Sequence, residues 1–142
     1  MQLLRVLAAL PLLLFGSCHL LEYKIDVDHP EYTTESGVCV REVLFGDGEP
    51  VGTGAAVTID YLMDLEDGTR LDSSYDRGTS LDFVIGEAPI AGWNEGMLGM
   101  KPGGKRELRV PPALAYGEAG IDNLVPPNAT LVFLIELLSA AQ

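Results

Sequence analysis

The chain is poor in residues that do covalent chemistry. Its two cysteines, Cys18 and Cys39, and its two histidines form no cluster at metal-ligand spacing. The sequence therefore offers no metal site, no thiol nucleophile and no cofactor. Cys39 lies in the alternating stretch Val38-Cys39-Val40 and reads as a buried or half-buried structural thiol. The chain does offer aromatic surface. Trp93 falls on the apolar stripe of a helical segment, and Tyr61, Phe83 and Phe133 fall in strand-like segments. Taken singly, each is a core residue by default. Asp72 alone is a turn acid, and Tyr116 alone a loop aromatic. Aromatic residues fill a core or line an apolar pocket, and position decides between the two.

Cys18 has a separate chemistry. Met1 to Cys18 carries one charge, Arg5, ahead of an apolar run from Val6 to Phe15, and Gly16-Ser17-Cys18 follow. A basic start, a short apolar middle and a small-residue end describe a secretory signal. The run is too short for a permanent membrane-spanning helix, so residues 1–17 are set apart from the fold. Leu14-Phe15-Gly16-Ser17-Cys18 resembles a bacterial lipobox, with Phe15 in place of the usual aliphatic residue. Acylation at Cys18 would supply the multiple chains that stable membrane attachment needs. His19 follows, not an aspartate, so in a diderm bacterium the expected address is an outer-membrane anchor facing the periplasm. Cleavage after Ser17 without acylation is the alternative. It gives a soluble periplasmic protein in which Cys18 can pair with Cys39.

The net charge of -12 repels nucleic-acid phosphate, and no basic stripe offers a local exception. The 142 residues, 47% of them hydrophobic, suit one domain with a real core. Residues 18–37 are polar and aperiodic, and read as a tether or irregular extension. The domain runs over residues 38–142. Val38–Leu44, Ala56–Leu65, Thr69–Ser73, Leu81–Ile85, Lys105–Val110 and Thr130–Leu138 read as strands. Asp67-Gly68 and Asp76-Arg77-Gly78 read as turns. Ile90, Trp93, Met97 and Met100 lie three or four apart, on one face of a helix over Ile90–Met100. Pro102-Gly103-Gly104 stops it. Pro111–Asn128 is a loop. The expected class is α+β, an antiparallel sheet wrapped on one helix.

Seven segments in order resemble the FKBP family over Val38–Leu138. They are Val57-Thr58-Ile59-Asp60-Tyr61, Leu65-Glu66-Asp67-Gly68-Thr69, Leu71-Asp72-Ser73-Ser74-Tyr75-Asp76-Arg77-Gly78, Gly92-Trp93-Asn94-Glu95-Gly96-Met97, Met100-Lys101-Pro102-Gly103-Gly104-Lys105, Pro111-Pro112-Ala113-Leu114-Ala115-Tyr116-Gly117 and Val125-Pro126-Pro127-Asn128-Ala129-Thr130-Leu131-Val132-Phe133. The resemblance implies a five- or six-stranded curved sheet around one short helix, with a proline pocket between them. It implies a peptidyl-prolyl cis-trans isomerase whose catalytic set is Tyr61, Asp72, Trp93, Tyr116 and Phe133. Leu71, Leu81, Phe83, Pro89, Ile90, Ile121 and Val125 form the expected substrate wall, and Ile90 also supplies a backbone N–H to a ligand carbonyl. Leu71 and Leu81 stand where well-known members carry phenylalanine, and Ile121 where some carry histidine. The implied partners are proline-containing segments of exported proteins and macrolides of the rapamycin class. With no dimerisation helix ahead of the domain, a monomer is expected. A binding module with the same fold and little turnover is the alternative.

Overall fold

A computed structural model describes residues 31–142. The expected secretory signal and Cys18 lie outside the described residues. Seven strands form one antiparallel sheet: β1 (Glu31–Thr33), β2 (Cys39–Leu44), β3 (Ala56–Leu65), β4 (Arg70–Ser73), β5 (Leu81–Val84), β6 (Lys105–Val110) and β7 (Leu131–Ala141). Their order is β1-β2-β6-β7-β3-β4, and β5 pairs with β3 as well. The long β3 makes this possible. Its first half, Ala56–Ile59, pairs with β5, and its second half, Leu62–Asp64, pairs with β4. Its other edge runs the whole length of β7, from Ala56 opposite Ala141 to Leu65 opposite Leu131.

Strict alternation sets which side chains face the core. Val57, Ile59, Tyr61 and Met63 of β3 are buried, as are Leu131, Phe133, Ile135 and Leu137 of β7. The same parity in β6 carries Leu108 and Val110 inward, and Arg106 with them.

Against this concave face lies α2, Ala91–Gly96. It is shorter than the expected Ile90–Met100. Beyond Gly96 the backbone leaves the helical ladder because other groups claim it. The Gly99 N–H donates to Val51 O at 2.9 Å, and the Val51 N–H donates to Met100 O at 2.8 Å. Arg106 takes the carbonyls of Gly96 and Leu98. Met97 and Met100 still reach the core from the turn that follows. Two glycines let the helix sit close to the sheet. A Cβ on Gly92 would stand 2.6 Å from a Val110 methyl, and one on Gly96 2.6 Å from a Leu108 methyl.

Three other features depart from expectation. The sheet has seven strands rather than five or six, because β1 adds an edge within the segment read as an irregular extension. Residues 74–77 form a one-turn helix, α1 (Ser74–Arg77), where a plain turn was expected. It is capped at one end by the Ser73 hydroxyl, which accepts from Asp76 N, and at the other by Gly78 at φ 64. Finally, β4 carries a bulge. Met63 pairs with Asp72 and Asp64 with Arg70, so Leu71 is the extra residue.

Candidate functional site

Trp93 sits on α2 with its ring enclosed by three others. The Tyr61 ring from β3 lies edge-on, 5.3 Å between centroids. The Phe133 ring from β7 lies edge-on at 5.1 Å, and Phe83 from β5 is tilted at 5.7 Å. Three strands and the helix thus build one aromatic cup, in the edge-to-face geometries such rings prefer. Trp93 and Phe133 form its floor and are fully buried, whereas Phe83 is half-buried at the rim. The Trp93 indole N–H finds no acceptor among the described residues. Ile90 and Val125 are buried in the same hydrophobic core, and Leu71, Leu81 and Tyr116 pack half-buried against that core.

A polar corner adjoins the cup. The Tyr61 hydroxyl donates to Asp72 Oδ2 at 2.6 Å, and the Ser73 N–H donates to Asp72 Oδ1 at 2.8 Å. The Arg77 guanidinium pairs with Asp72 Oδ1, donates to the Tyr61 hydroxyl at 3.1 Å, and lies 5.6 Å from the Tyr61 ring centroid. Both Asp72 oxygens are therefore engaged. The carboxylate accepts at both oxygens, and its bond from the Tyr61 hydroxyl aligns that ring. Burial raises the Tyr61 hydroxyl above its ordinary pKa, and its bond to Asp72 adds to the rise.

Two further donors, besides the Trp93 indole N–H, are uncommitted. Neither the Tyr116 hydroxyl nor the Ile90 N–H has a hydrogen-bond acceptor among the described residues. Burial raises the pKa of Tyr116, with the nearby Asp72 charge as the lesser cause, so the hydroxyl keeps its proton. Apolar rings and unpaired donors are the groups that a ligand with an apolar ring and flanking carbonyls would use.

The loop after Tyr116 folds back on itself. Ile121 and Val125 exchange two backbone hydrogen bonds of 2.9 Å, and Asn123 turns the tip at φ 62. A groove of about 280 Å³ runs along this loop, lined by Ile121, Leu124, Val125 and Pro126 among others. Val125 lines the groove and is also part of the hydrophobic core. Ile121 belongs to the groove and is exposed, and Pro89 is exposed on the segment before α2.

Of the residues singled out from sequence, Tyr61, Phe83 and Phe133 each contact Trp93, and Asp72 joins them through Tyr61. Arg77 was read only as part of a turn. The Ser73 and Gly78 caps flanking it were the available sign that it sits on a short helix pointing back at Asp72.

Comparison with known proteins is consistent across sequence and fold. The family model for FKBP-type peptidyl-prolyl cis-trans isomerases matches residues 48–138. The FK506-binding protein of Neisseria meningitidis serogroup B is 42% identical over 103 residues, 72% of this chain and 94% of that protein. The FKBP-type peptidyl-prolyl cis-trans isomerase FkpA of Escherichia coli K12 is 43% identical over 106 residues, 75% of this chain but 38% of that longer protein. The crystal structure of AtFKBP13 superposes with a TM-score of 0.72 at 36% identity, covering 79% of this chain and 99% of that one.

Proposed function

The chain belongs to the FKBP-type peptidyl-prolyl cis-trans isomerase family, and from that premise we propose how its aromatic cup accelerates rotation about X–Pro bonds. Amide resonance opposes that rotation with a barrier of about 20 kcal/mol. Twisting the C–N bond removes the resonance and much of the amide's polarity. Water favours the planar, more polar state. A site that strips water from the amide disfavours that state more than the twisted one, and only such differential interactions accelerate the step.

In this reading the prolyl ring enters the cup of Trp93, Phe83 and Phe133, with Leu71 and Leu81 as the reduced wall. The Ile90 N–H and the Tyr116 hydroxyl hold carbonyls of the peptide on either side. Asp72 and Arg77 fix Tyr61, so that the wall does not shift as the amide twists. No proton is transferred, which agrees with an Asp72 whose oxygens are already engaged. The observation that carries the reading is the Trp93 ring held by three aromatic rings from three strands.

The substrates proposed are proline-containing segments of exported proteins. Export rests on the composition of residues 1–17, and membrane attachment rests on the lipobox-like residues before Cys18. Residues 18–37, read as a tether or extension, would then link that anchor to the domain. Metabolic labelling with a fatty acid tests the attachment. Label on the wild type and none on Cys18→Ser is expected, and label on neither would contradict it.

The catalytic reading is tested with protein lacking residues 1–17 in a protease-coupled assay on a Leu-Pro-Phe peptide. Acceleration abolished by stoichiometric rapamycin is the expected result. Folded protein that captures the peptide without accelerating it would instead favour a binding module, the reading that Leu71 and Leu81 leave room for.

A further inference from the structure

The segment between β5 and α2 belongs to no helix or strand. It runs from Gly86 to Pro89 and ends at Ile90, and Gly86 adopts φ 110. Helix α2 has no side-chain N-cap and no acidic residue in its first turn, so the usual devices that fix a helix entry are missing. One side chain takes their place. Asn94, the residue after Trp93, accepts hydrogen bonds at its Oδ1 from the Gly86 N–H at 2.8 Å and the Ala88 N–H at 3.0 Å. An amide oxygen has two lone pairs, and here both are used.

We propose that Asn94 is a positioning residue for the isomerase reaction, clamping the segment that presents the Ile90 N–H to the helical turn that carries Trp93. This rests on the isomerase reading above. Trp93 and the free Ile90 N–H are otherwise joined through the backbone of residues 90–93, where the Trp93 N–H donates to Ile90 O at 3.0 Å. With the Asn94 clamp, the segment preceding Ile90 is tied to the same turn from the other side. Substrate carbonyl and prolyl ring then meet partners whose separation is set before binding, and the ordering cost falls on folding rather than on each encounter. Without the clamp, the N–H groups of Gly86 and Ala88 turn to water and Ile90 is presented by a looser segment. The defect should fall on ligand binding, since the donor itself remains.

The test compares wild type, Asn94→Leu, Asn94→Ala and Asn94→Asp, all lacking residues 1–17. Leucine keeps the branching and removes the acceptor, alanine guards against misfolding of the bulkier leucine variant, and aspartate restores two acceptor lone pairs. Losing two neutral hydrogen bonds predicts a drop in kcat/KM of about tenfold for Asn94→Leu and Asn94→Ala, expressed mainly in KM and matched by weaker rapamycin binding. Asn94→Asp should stay close to wild type. Amide exchange at Gly86 and Ala88 should quicken in the leucine and alanine variants and not in the aspartate one. Unchanged kcat/KM in a folded Asn94→Ala protein overturns the inference and leaves the isomerase reading standing, as does a loss in kcat alone that aspartate fails to rescue. An inactive wild type overturns the isomerase reading and this inference with it.

Discussion

Two arginine–carboxylate pairs flank the helix that carries Trp93, and they differ in everything except chemistry. At the pocket rim, Arg77 pairs with Asp72, with 46% and 30% of the side chains exposed. At the far end of α2, Arg106 pairs with Glu42, with 8% and 11% exposed. Arg106 also donates to the carbonyl oxygens of Gly96 at 3.0 Å and Leu98 at 2.6 Å. The buried pair therefore does what a C-cap does for a longer helix, gathering carbonyls that the shortened α2 leaves without partners. The exposed pair joins Asp72, just ahead of α1, to Arg77 in the last turn of α1, and gathers no helix carbonyls. Its use is to hold the Tyr61 hydroxyl beside the cup. One arginine supports the platform and the other tunes a wall.

The largest effect should come from breaking the buried pair. Arg106→Ala leaves Glu42 buried without its cation and two carbonyls without donors, a change that typically costs about 3–5 kcal/mol. Urea denaturation should show the loss. A midpoint near wild type would mean that Glu42 and the two carbonyls are satisfied by water instead. Rapamycin affinity should fall only as far as folded protein is lost.

Next comes the cup floor. Phe133→Ala removes a fully buried ring that touches Trp93, and ring-to-alanine changes in cores typically cost about 3–5 kcal/mol. Unlike Arg106→Ala, it should also depress kcat/KM in the protein that remains folded, which active-site titration with rapamycin can count. Equal loss of fold and activity would erase the distinction between floor and platform.

Arg77→Ala should do the reverse of Arg106→Ala. The pair is exposed and screened by solvent, so the denaturation midpoint should hardly move. Isomerase activity should fall several-fold because Tyr61 and Asp72 lose their shared partner. Unaltered kcat/KM would show that the polar corner is merely surface.

The smallest effect concerns pH. Tyr61 is raised from an ordinary value of 10.0, first by burial and then by Asp72. A raised tyrosine favours the neutral form in the folded state. Its contribution is complete below pH 10 and is lost as pH climbs through the folded value. Denaturation midpoints measured upward from pH 9 should therefore fall less steeply in Tyr61→Phe than in wild type. Parallel curves would argue that the hydroxyl is no better held in the fold than in the unfolded chain.

The contrast between the two pairs also marks where sequence reading works. Alternation placed β3, β6 and most of β7 correctly, because a half-buried strand writes its faces into its residue order. That same order hid Arg106. In Lys105-Arg106-Glu107-Leu108-Arg109-Val110 the apolar parity carries Arg106 inward, but a charge flanked by charges looks like surface. The partner that makes its burial tolerable, Glu42, is remote in sequence. The helix was read too long for a related reason. Met97 and Met100 keep helical spacing and are buried, yet Val51 and Arg106 have drawn off the backbone around them. The aromatic cup was legible through the family resemblance. The bond from Asp72 to Tyr61 was foreseeable, whereas Arg77 was not. Its position depends on the Leu71 bulge and the one-turn α1, both products of tertiary pairing.

The central claim is that the Trp93 cup turns over prolyl bonds. The most direct measurement is cis–trans exchange of a Leu-Pro peptide, followed by NMR at equilibrium, with wild type and Trp93→Ala at matched folded concentration. Exchange speeded by catalytic amounts of wild type, with most of that acceleration lost in Trp93→Ala, is the result expected. Exchange as fast with Trp93→Ala as with wild type would contradict the account.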